Sequence, residues 1–283
     1  MSRTVYVNGD YLPEEDAKIS VFDRGFLMAD AVYEVTAVLD GRLCDFDGHR
    51  ARLHRSLSEL EMALPVSDDE LLEIHRELVR RNDLTEGGIY LQVTRGEADR
   101  DFVWPKDATP GMVLFTQARP VEKSETAKRG IKVVPVEDER WGRRDIKTVQ
   151  LLFPSWAKMQ AKRQGADDAW LVEDGFVTEG TSNNAYIVRD GVIVTRQLSN
   201  DILHGITRAS VLKLAEEAQM RVQERPFTIE EAQGAQEAFI TSASQFVCPV
   251  VEIDGKPVGS GTPGPVAKRL REIYVQYARD TAI

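Results

Sequence analysis

The chain is poor in cysteine, in histidine and in long apolar runs. Among its 283 residues only Cys44 and Cys248 are cysteines, far apart and in no CxxC pattern. Two thiols cannot frame a disulfide scaffold, and they read as small buried side chains. The four histidines are His49, His54, His75 and His204. No pair has metal-ligand spacing, so no metal site is expected. No apolar stretch approaches the length of a bilayer span. The opening residues MSRTVYVNGDYLPEED hold no apolar signal core, and the expected location is the cytoplasm. Positive charge is the minority: 36 Lys and Arg against 46 Asp and Glu leave a formal net charge of −10. Such a chain is poorly suited to nucleic acid or to an anionic membrane. There is no GxSxG elbow and no P-loop. GSGTPG at 259–264 matches GxGxxG, but it carries Pro263 and leaves too little chain for a dinucleotide-binding unit. Ser155-Trp156-Ala157-Lys158 matches SxxK without the SDN and KTG companions. Hydrolase, nucleotide-kinase and metalloenzyme chemistry all lack their parts.

What is present is ordinary soluble-protein material, 42% hydrophobic and 29% charged. Asn8-Gly9, Asp40-Gly41, Asp174-Gly175 and Asp190-Gly191 each separate strand-like runs, which predicts four tight hairpins. Leu53, Leu57, Leu60 and Leu64 recur at helical spacing within GHRARLHRSLSELEMAL. A second amphipathic helix is expected from Asp69 to Arg81, on Leu71, Leu72, Ile74, Leu78 and Val79. IYLQVTRG and MVLFTQA follow as strands, and 119–123 reads as a linker. Beyond it, KVVPV, EAFIT and VCPVVEIDGKPV read as strands. Helices are expected over Ser155–Gln164, Thr207–Met220 and Gly264–Ala278, with a capping box at Thr228 and Glu231. The order of strands and helices predicts an α+β fold of two α/β domains, 1–119 and 120–283, with a ligand cleft between them.

Five fragments carry candidate chemistry. Lys147 stands in GRRDIKTVQLL, where a polar turn gives way to an apolar run. A lysine against apolar surface and other cations has a lowered pKa, and its neutral amine attacks carbonyls. On this fragment alone a snorkelling surface lysine is the commoner explanation. Glu179 precedes Gly180 and the small polar cluster Thr181, Ser182, Asn183 and Asn184. A half-buried carboxylate there needs a cationic partner, and a protonated ring nitrogen would serve. Gly205-Ile206-Thr207 opens a helix, whose free N–H groups suit a phosphate; Thr207 is equally read as an N-cap. TSASQF supplies hydroxyls after a strand, and Arg52 sits in a basic patch with Arg50 and Arg55. Together these are the needs of a phosphorylated pyridine aldehyde.

DRGFLMADAVYEV, HRARLHRS, YLQVTRG, DIKTVQLL, VTEGTSNN, ILHGITR and VVEIDGKPVG with GTPGPVAKRL span nearly the whole chain. With these motifs the sequence resembles the fold-type IV pyridoxal 5'-phosphate aminotransferases, and within them the D-amino acid aminotransferases. The resemblance implies that Lys147 forms the Schiff base and moves the substrate proton. It implies that Glu179 holds the pyridine nitrogen, that Leu203 packs on the ring, and that Arg52, Ile206, Thr207 and Ser242 bind the phosphate. Tyr33 and Tyr90 would line the substrate side, and Arg100 would grip the substrate carboxylate. The implied reaction moves an amino group from a D-amino acid to a 2-oxo acid in two half-reactions, in a homodimer. The family often has arginine and then histidine two residues on; here the tripeptide is Arg100-Asp101-Phe102. That departure leaves room for (R)-primary amine donors. Ala243 stands where a phosphate-binding threonine is common. Aminodeoxychorismate lyase and branched-chain aminotransferase chemistry are the alternatives on the same fold.

Overall fold

The computed structural model describes residues 2–283. The chain up to Pro120, with 146–150 and 281–283, forms one unit; Val121–Asp145 and Leu151–Asp280 form the other.

Unit one contains β1 (Thr4–Val7), β2 (Asp10–Pro13), α1 (Arg24–Met28), β3 (Ala31–Leu39), β4 (Arg42–Leu43), α2 (Phe46–Glu59), α3 (Asp68–Arg81), β5 (Glu86–Thr94) and β6 (Gly111–Ala118). Its six strands form one antiparallel sheet in the order β2-β1-β6-β5-β3-β4. Asn8-Gly9 and Asp40-Gly41 make its two-residue turns, with positive φ at both residues of each. The core joins Leu53 and Leu57 of α2 and Leu71, Ile74 and Leu78 of α3 to Val32, Val38, Ile89 and Leu91 of the sheet. The first of these two helices is shorter than its apolar spacing suggests. It ends at Glu59, and Glu61 turns left-handed at φ 52°, so Leu60 and Leu64 pack on the core from outside the helix.

Unit two contains α4 (Glu125–Arg129), β7 (Ile131–Glu137), α5 (Leu152–Arg163), β8 (Asp168–Glu173), β9 (Phe176–Gly180), β10 (Asn184–Arg189), β11 (Val192–Thr195), α6 (Ile206–Glu217), β12 (Arg221–Glu224), α7 (Ile229–Gln233), β13 (Glu237–Ser242), β14 (Phe246–Ile253), β15 (Lys256–Pro257) and α8 (Pro265–Thr281). Its sheet is mixed, in the order β12-β11-β10-β13-β14-β7-β8-β9, with β15 on β14. The pairs β11/β12, β14/β7 and β7/β8 are parallel. Asp174-Gly175 and Asp190-Gly191 close hairpins, as the sequence predicts. Thr228 caps α7 through its hydroxyl to the Glu231 N–H at 3.1 Å. The Glu231 carboxylate turns instead to Arg225, so only half of the expected capping box forms.

Candidate active site

Lys147 lies where the chain re-enters unit one. Ile146 is buried in that unit's core and anchors the segment. The segment runs antiparallel against the start of β3, through a bridge between Val32 and Thr148. Tyr33 N–H donates to the Lys147 carbonyl at 3.0 Å, and Val149 N–H donates to the Ala31 carbonyl at 3.1 Å. The Lys147 N–H faces Ser56 Oγ at 3.3 Å. The backbone is therefore pinned on both sides, and only the side chain is left to move. Its Nζ sits 4.1 Å from the centroid of the Tyr33 ring, a cation–π contact in place of a carboxylate partner. Tyr33 stacks on Tyr90 at 5.6 Å, and Tyr90 stacks on Phe115 at 4.9 Å. This aromatic row follows from register: Val35 faces Tyr90 across the ladder, so Tyr33 is its diagonal neighbour on the same sheet face. Burial, then the neighbouring Tyr33, pushes the Tyr90 hydroxyl up to about 12. It stays protonated and donates to Gln92 Oε1 at 2.8 Å.

Successive strand residues point to opposite faces, so Glu34 turns toward α2. There it meets His49 and Arg52, three residues apart on one helix face. Arg52 Nε and Nη2 donate to the two Glu34 oxygens at 2.7 and 2.8 Å, and His49 Nδ1 lies 2.8 Å from Oε2. All three side chains are buried. Burial alone would raise the Glu34 pKa, but the Arg52 guanidinium outweighs it and holds the group well below the usual carboxylate range. The basic patch read from the sequence thus dissolves. Arg50 pairs with Asp47 and Asp68 at the surface and Arg55 pairs with Glu59, while Arg52 alone is buried and oriented.

In unit two, Glu179 lies near the end of β9 with only 3% of its surface exposed. Its Oε1 accepts from Arg140 Nη1 at 2.8 Å, and Leu203 N–H reaches both oxygens at 3.1–3.2 Å. Asn184 Nδ2 donates to Oε2 at 3.1 Å and to the Leu203 carbonyl at 3.0 Å. Arg140 is itself gripped by Asp138, which also accepts from Thr178. Burial pushes Glu179 up from the ordinary carboxylate value, and Arg140 and the Leu203 N–H pull against it. The polar cluster after it is divided. Thr181 and Asn183 bind Asp168, and Asn184 alone serves Glu179. The two cations beside Lys147 in sequence are also engaged, Arg143 by Asp145 and Arg144 by Glu173.

The start of α6 has no side-chain cap. Its N-cap is Gly205, and Thr207 is a buried residue of the first turn, which removes the expected capping role. A Cβ at position 205 would fall 2.1 Å from Asn184 Oδ1, so any side chain there displaces the Asn184 amide. The first-turn N–H groups are left for an anion. At α8 the opposite holds: Val266 and Ala267 N–H donate to the Glu237 carboxylate at 2.9 and 3.0 Å. GSGTPG therefore leads into a helix start that is already filled. Ser242 ends β13 with its Oγ 3.2 Å from Ser244 Oγ, and half-buried Ala243 lies between them.

A family model described as amino-transferase class IV matches residues 31–253. This chain belongs to the class IV aminotransferases. The class IV chain is 40% identical to the D-alanine aminotransferase of Bacillus licheniformis over 268 residues, 94% of each protein. It is 38% identical to that of Staphylococcus aureus (strain COL) over 282 residues, 99% of each. Among solved structures, a branched-chain amino acid aminotransferase of T.th. with pyridoxamine 5'-phosphate matches with a TM-score of 0.90 at 30% identity, covering 98% of this chain and 94% of that one. The branched-chain enzyme of Escherichia coli matches with a TM-score of 0.88 at 25% identity, covering 98% and 95%. The fold is the α+β fold-type IV architecture, and the cofactor of the class IV enzyme is pyridoxal 5'-phosphate.

The residues fit that group. An uncapped helix start at Gly205, against the Asn184 amide, suits its phosphate, and a buried carboxylate held on several donors suits a cationic ring nitrogen. Within unit one the structure brings together Lys147, Tyr33 and Tyr90. Within unit two it brings Leu203 against Glu179. Arg100 is different: it lies exposed between β5 and β6, its guanidinium 5.4 Å from the Phe102 ring centroid. Sequence reasoning missed Arg140, Glu34 and His49 in this aminotransferase. Glu34 carries a signal in retrospect, as a charged residue within the apolar run AVYEVTAVL. Arg140, in a loop of mixed charges, carries none.

Proposed function

We propose that this aminotransferase moves the amino group of a D-amino acid to a 2-oxo acid, with Lys147 as its acid–base group. The observation that carries this reading is the Lys147 Nζ held over the Tyr33 ring on a fixed backbone. Pyridoxal phosphate, when bound, supplies an aldehyde for the amine and an electron sink for the charge left at Cα. Lys147 Nζ takes the proton from Cα of the donor and later returns one to the acceptor. Glu179 holds positive charge at the ring nitrogen, and its own anionic form is supported by Arg140 and the Leu203 N–H. The side chain of Leu203 packs on the ring. Ile206 and Thr207 N–H, Ser242 Oγ and Arg52 bind the phosphate, with Glu34 fixing the Arg52 rotamer. Tyr33 and Tyr90 line the substrate side, and Arg100 grips the donor carboxylate.

The D-amino acid preference is supported by identities of 38–40% to D-alanine aminotransferases along almost the whole chain. Phe102 in place of a second carboxylate donor favours an additional tolerance of (R)-primary amines. A homodimer is also part of the proposal. It is supported by the exposed apolar side chains Val21, Phe22, Phe26, Phe102, Val103 and Trp104, which a partner chain would cover. A cytoplasmic location is supported by the two buried free thiols.

The test is direct. Purified protein with D-alanine and 2-oxoglutarate should yield pyruvate, and L-alanine should yield far less. Transfer from L-leucine with none from D-alanine would replace this reading with branched-chain chemistry. Pyruvate from aminodeoxychorismate alone would replace it with a lyase.

A further inference from the structure

Between β5 and β6 the chain makes an excursion from Gly96 to Thr109. Its base is narrow: Gly96 has φ 103°, and a Cβ there would fall 2.0 Å from the Thr109 carbonyl. Its tip carries Arg100 and the exposed Phe102 and Val103. Two buried arginines reach that tip from below.

Arg24 donates from Nη1 to the carbonyl of Asp101 at 2.8 Å. Arg95 sits over Trp104, its Cζ 4.0 Å from the ring centroid. Both guanidinia are seated on a single carboxylate. Asp30 Oδ2 accepts from Arg24 Nε and from Arg95 Nε, each at 2.8 Å. The side-chain exposures are 2% for Arg24, 9% for Arg95 and 10% for Asp30. The two buried guanidinia share one carboxylate, so their remaining N–H groups need other acceptors. Those are the Asp101 carbonyl for Arg24, and the Leu60 and Glu61 carbonyls for Arg95, from Nη2 at 2.8 Å and Nη1 at 3.4 Å, while the Trp104 ring covers the Arg95 guanidinium. Two of those four partners belong to the excursion. Buried donors that lack another acceptor therefore hold the tip down.

We propose that Asp30, Arg24, Arg95 and Trp104 form a clamp that positions Arg100 and so sets the enzyme's affinity for carboxylate-bearing substrates. This inference rests on the reading that Arg100 grips the donor carboxylate, and it assigns positioning roles to residues that touch neither substrate nor cofactor. Pre-organised contacts lower the ordering cost of binding. A loosened clamp accordingly weakens substrate capture and leaves proton transfer at Lys147 alone.

The experiment compares Trp104→Leu, Trp104→Phe, Arg24→Met and Arg100→Ala in the full-length enzyme. Trp104 is exposed, so its replacement does not threaten folding. Trp104→Leu and Arg24→Met should each raise KM for D-alanine and for 2-oxoglutarate about fivefold, with kcat within about twofold. Trp104→Phe keeps a ring and should return KM to near the wild-type value. In the apoprotein, tryptic cleavage after Arg100 and Lys106 should be about fivefold faster in the two loosened variants, by the same lost contacts. Pyridoxal phosphate affinity should not change in any of the clamp variants. Should Arg100→Ala raise KM while Trp104→Leu and Arg24→Met do not, the clamp is refuted and the role of Arg100 stands. Should Arg100→Ala leave KM unchanged, both fall. Faster cleavage without a KM change would also overturn the proposal, because it would separate the tip's order from substrate binding.

Discussion

Lys147 and Glu34 show how little a residue type says without its neighbours. Both are charged residues in apolar surroundings. The lysine meets an aromatic face, and the glutamate meets an arginine and a histidine. Replacing Lys147 with alanine removes a half-buried side chain but none of the backbone hydrogen bonds that seat the segment. Lys147→Ala should therefore melt within a few degrees of the wild type yet lose transfer activity by about a thousandfold or more. Differential scanning fluorimetry and a D-alanine assay check the two halves of that expectation. Glu34→Gln should act first on stability. It leaves Arg52 buried without its anion, at a cost of about 3 kcal/mol in urea unfolding. The pKa of Glu34 is lower in the folded state than in the unfolded chain. Its contribution is thus complete at neutral pH. It is lost as pH falls below about 4.3, where the unfolded chain takes up a proton that the folded state refuses. The variant should show a flatter acid limb than the wild type in stability plotted against pH.

Among the elements, α3 and α6 make separate demands. In α3, His75 is buried, with Nδ1 2.8 Å from the Leu71 carbonyl and its ring edge-on to Phe46. Burial pushes its pKa down to about 4, against the pull of that carbonyl. The folded state keeps the ring neutral while the unfolded chain protonates below about 6.5. Stability should therefore fall by on the order of 2 kcal/mol as pH drops from about 6.5 toward 4. Melting curves of the wild type and His75→Leu across that range should converge as the pH is lowered. At α6, Gly205→Ala drives a methyl into Asn184 Oδ1, and Asn184 is the amide that ties Glu179 to the Leu203 carbonyl. Binding of pyridoxal phosphate by the apoprotein should weaken about tenfold, read by absorbance titration.

The same elements mark what was legible in the sequence. Two-residue turns at Asn-Gly and Asp-Gly need positive φ at both positions, and the structure has it at all four predicted turns. Helical periodicity located α2 and α3, whose apolar residues face one core. Boundaries were less visible. Helix α5 starts at Leu152 rather than Ser155, because Pro154 falls in its first turn, where no amide hydrogen is required. The five-residue helices α1 and α4 are too short to show any period. Of the candidate site, the lysine, the glutamate and the helix start stood out by local pattern. Arg140 and the Asp30 pair of arginines did not, because their meaning comes from partners up to 77 residues away in sequence.

For the whole molecule, the net charge of −10 and the exposed aromatic side chains work against each other. Charge repels copies of the chain, and exposed apolar area of this kind favours their association. Light scattering coupled to gel filtration should give twice the chain mass, and Phe22→Ser with Val103→Ser should shift the population toward the single chain. The division of the chain between its two units is the feature local signals could least reveal. Residues 146–150 follow α4 and β7 in sequence but pack with the first unit. What ties them there is a bridge from Thr148 to Val32, more than a hundred residues earlier.

That return visit constrains how a nascent chain matures. Until the ribosome has passed residue 150, the Ala31–Tyr33 rim of the first sheet lacks the partner that its Tyr33 amide and Ala31 carbonyl meet in the finished fold. A bare rim of this kind invites pairing with other polypeptides. The segment that covers it also delivers Lys147, so seating the reactive amine and sealing the rim are one event. Stalled chains ending at 145 should exchange the Tyr33 amide rapidly, and chains ending at 160 and free of the tunnel should protect it.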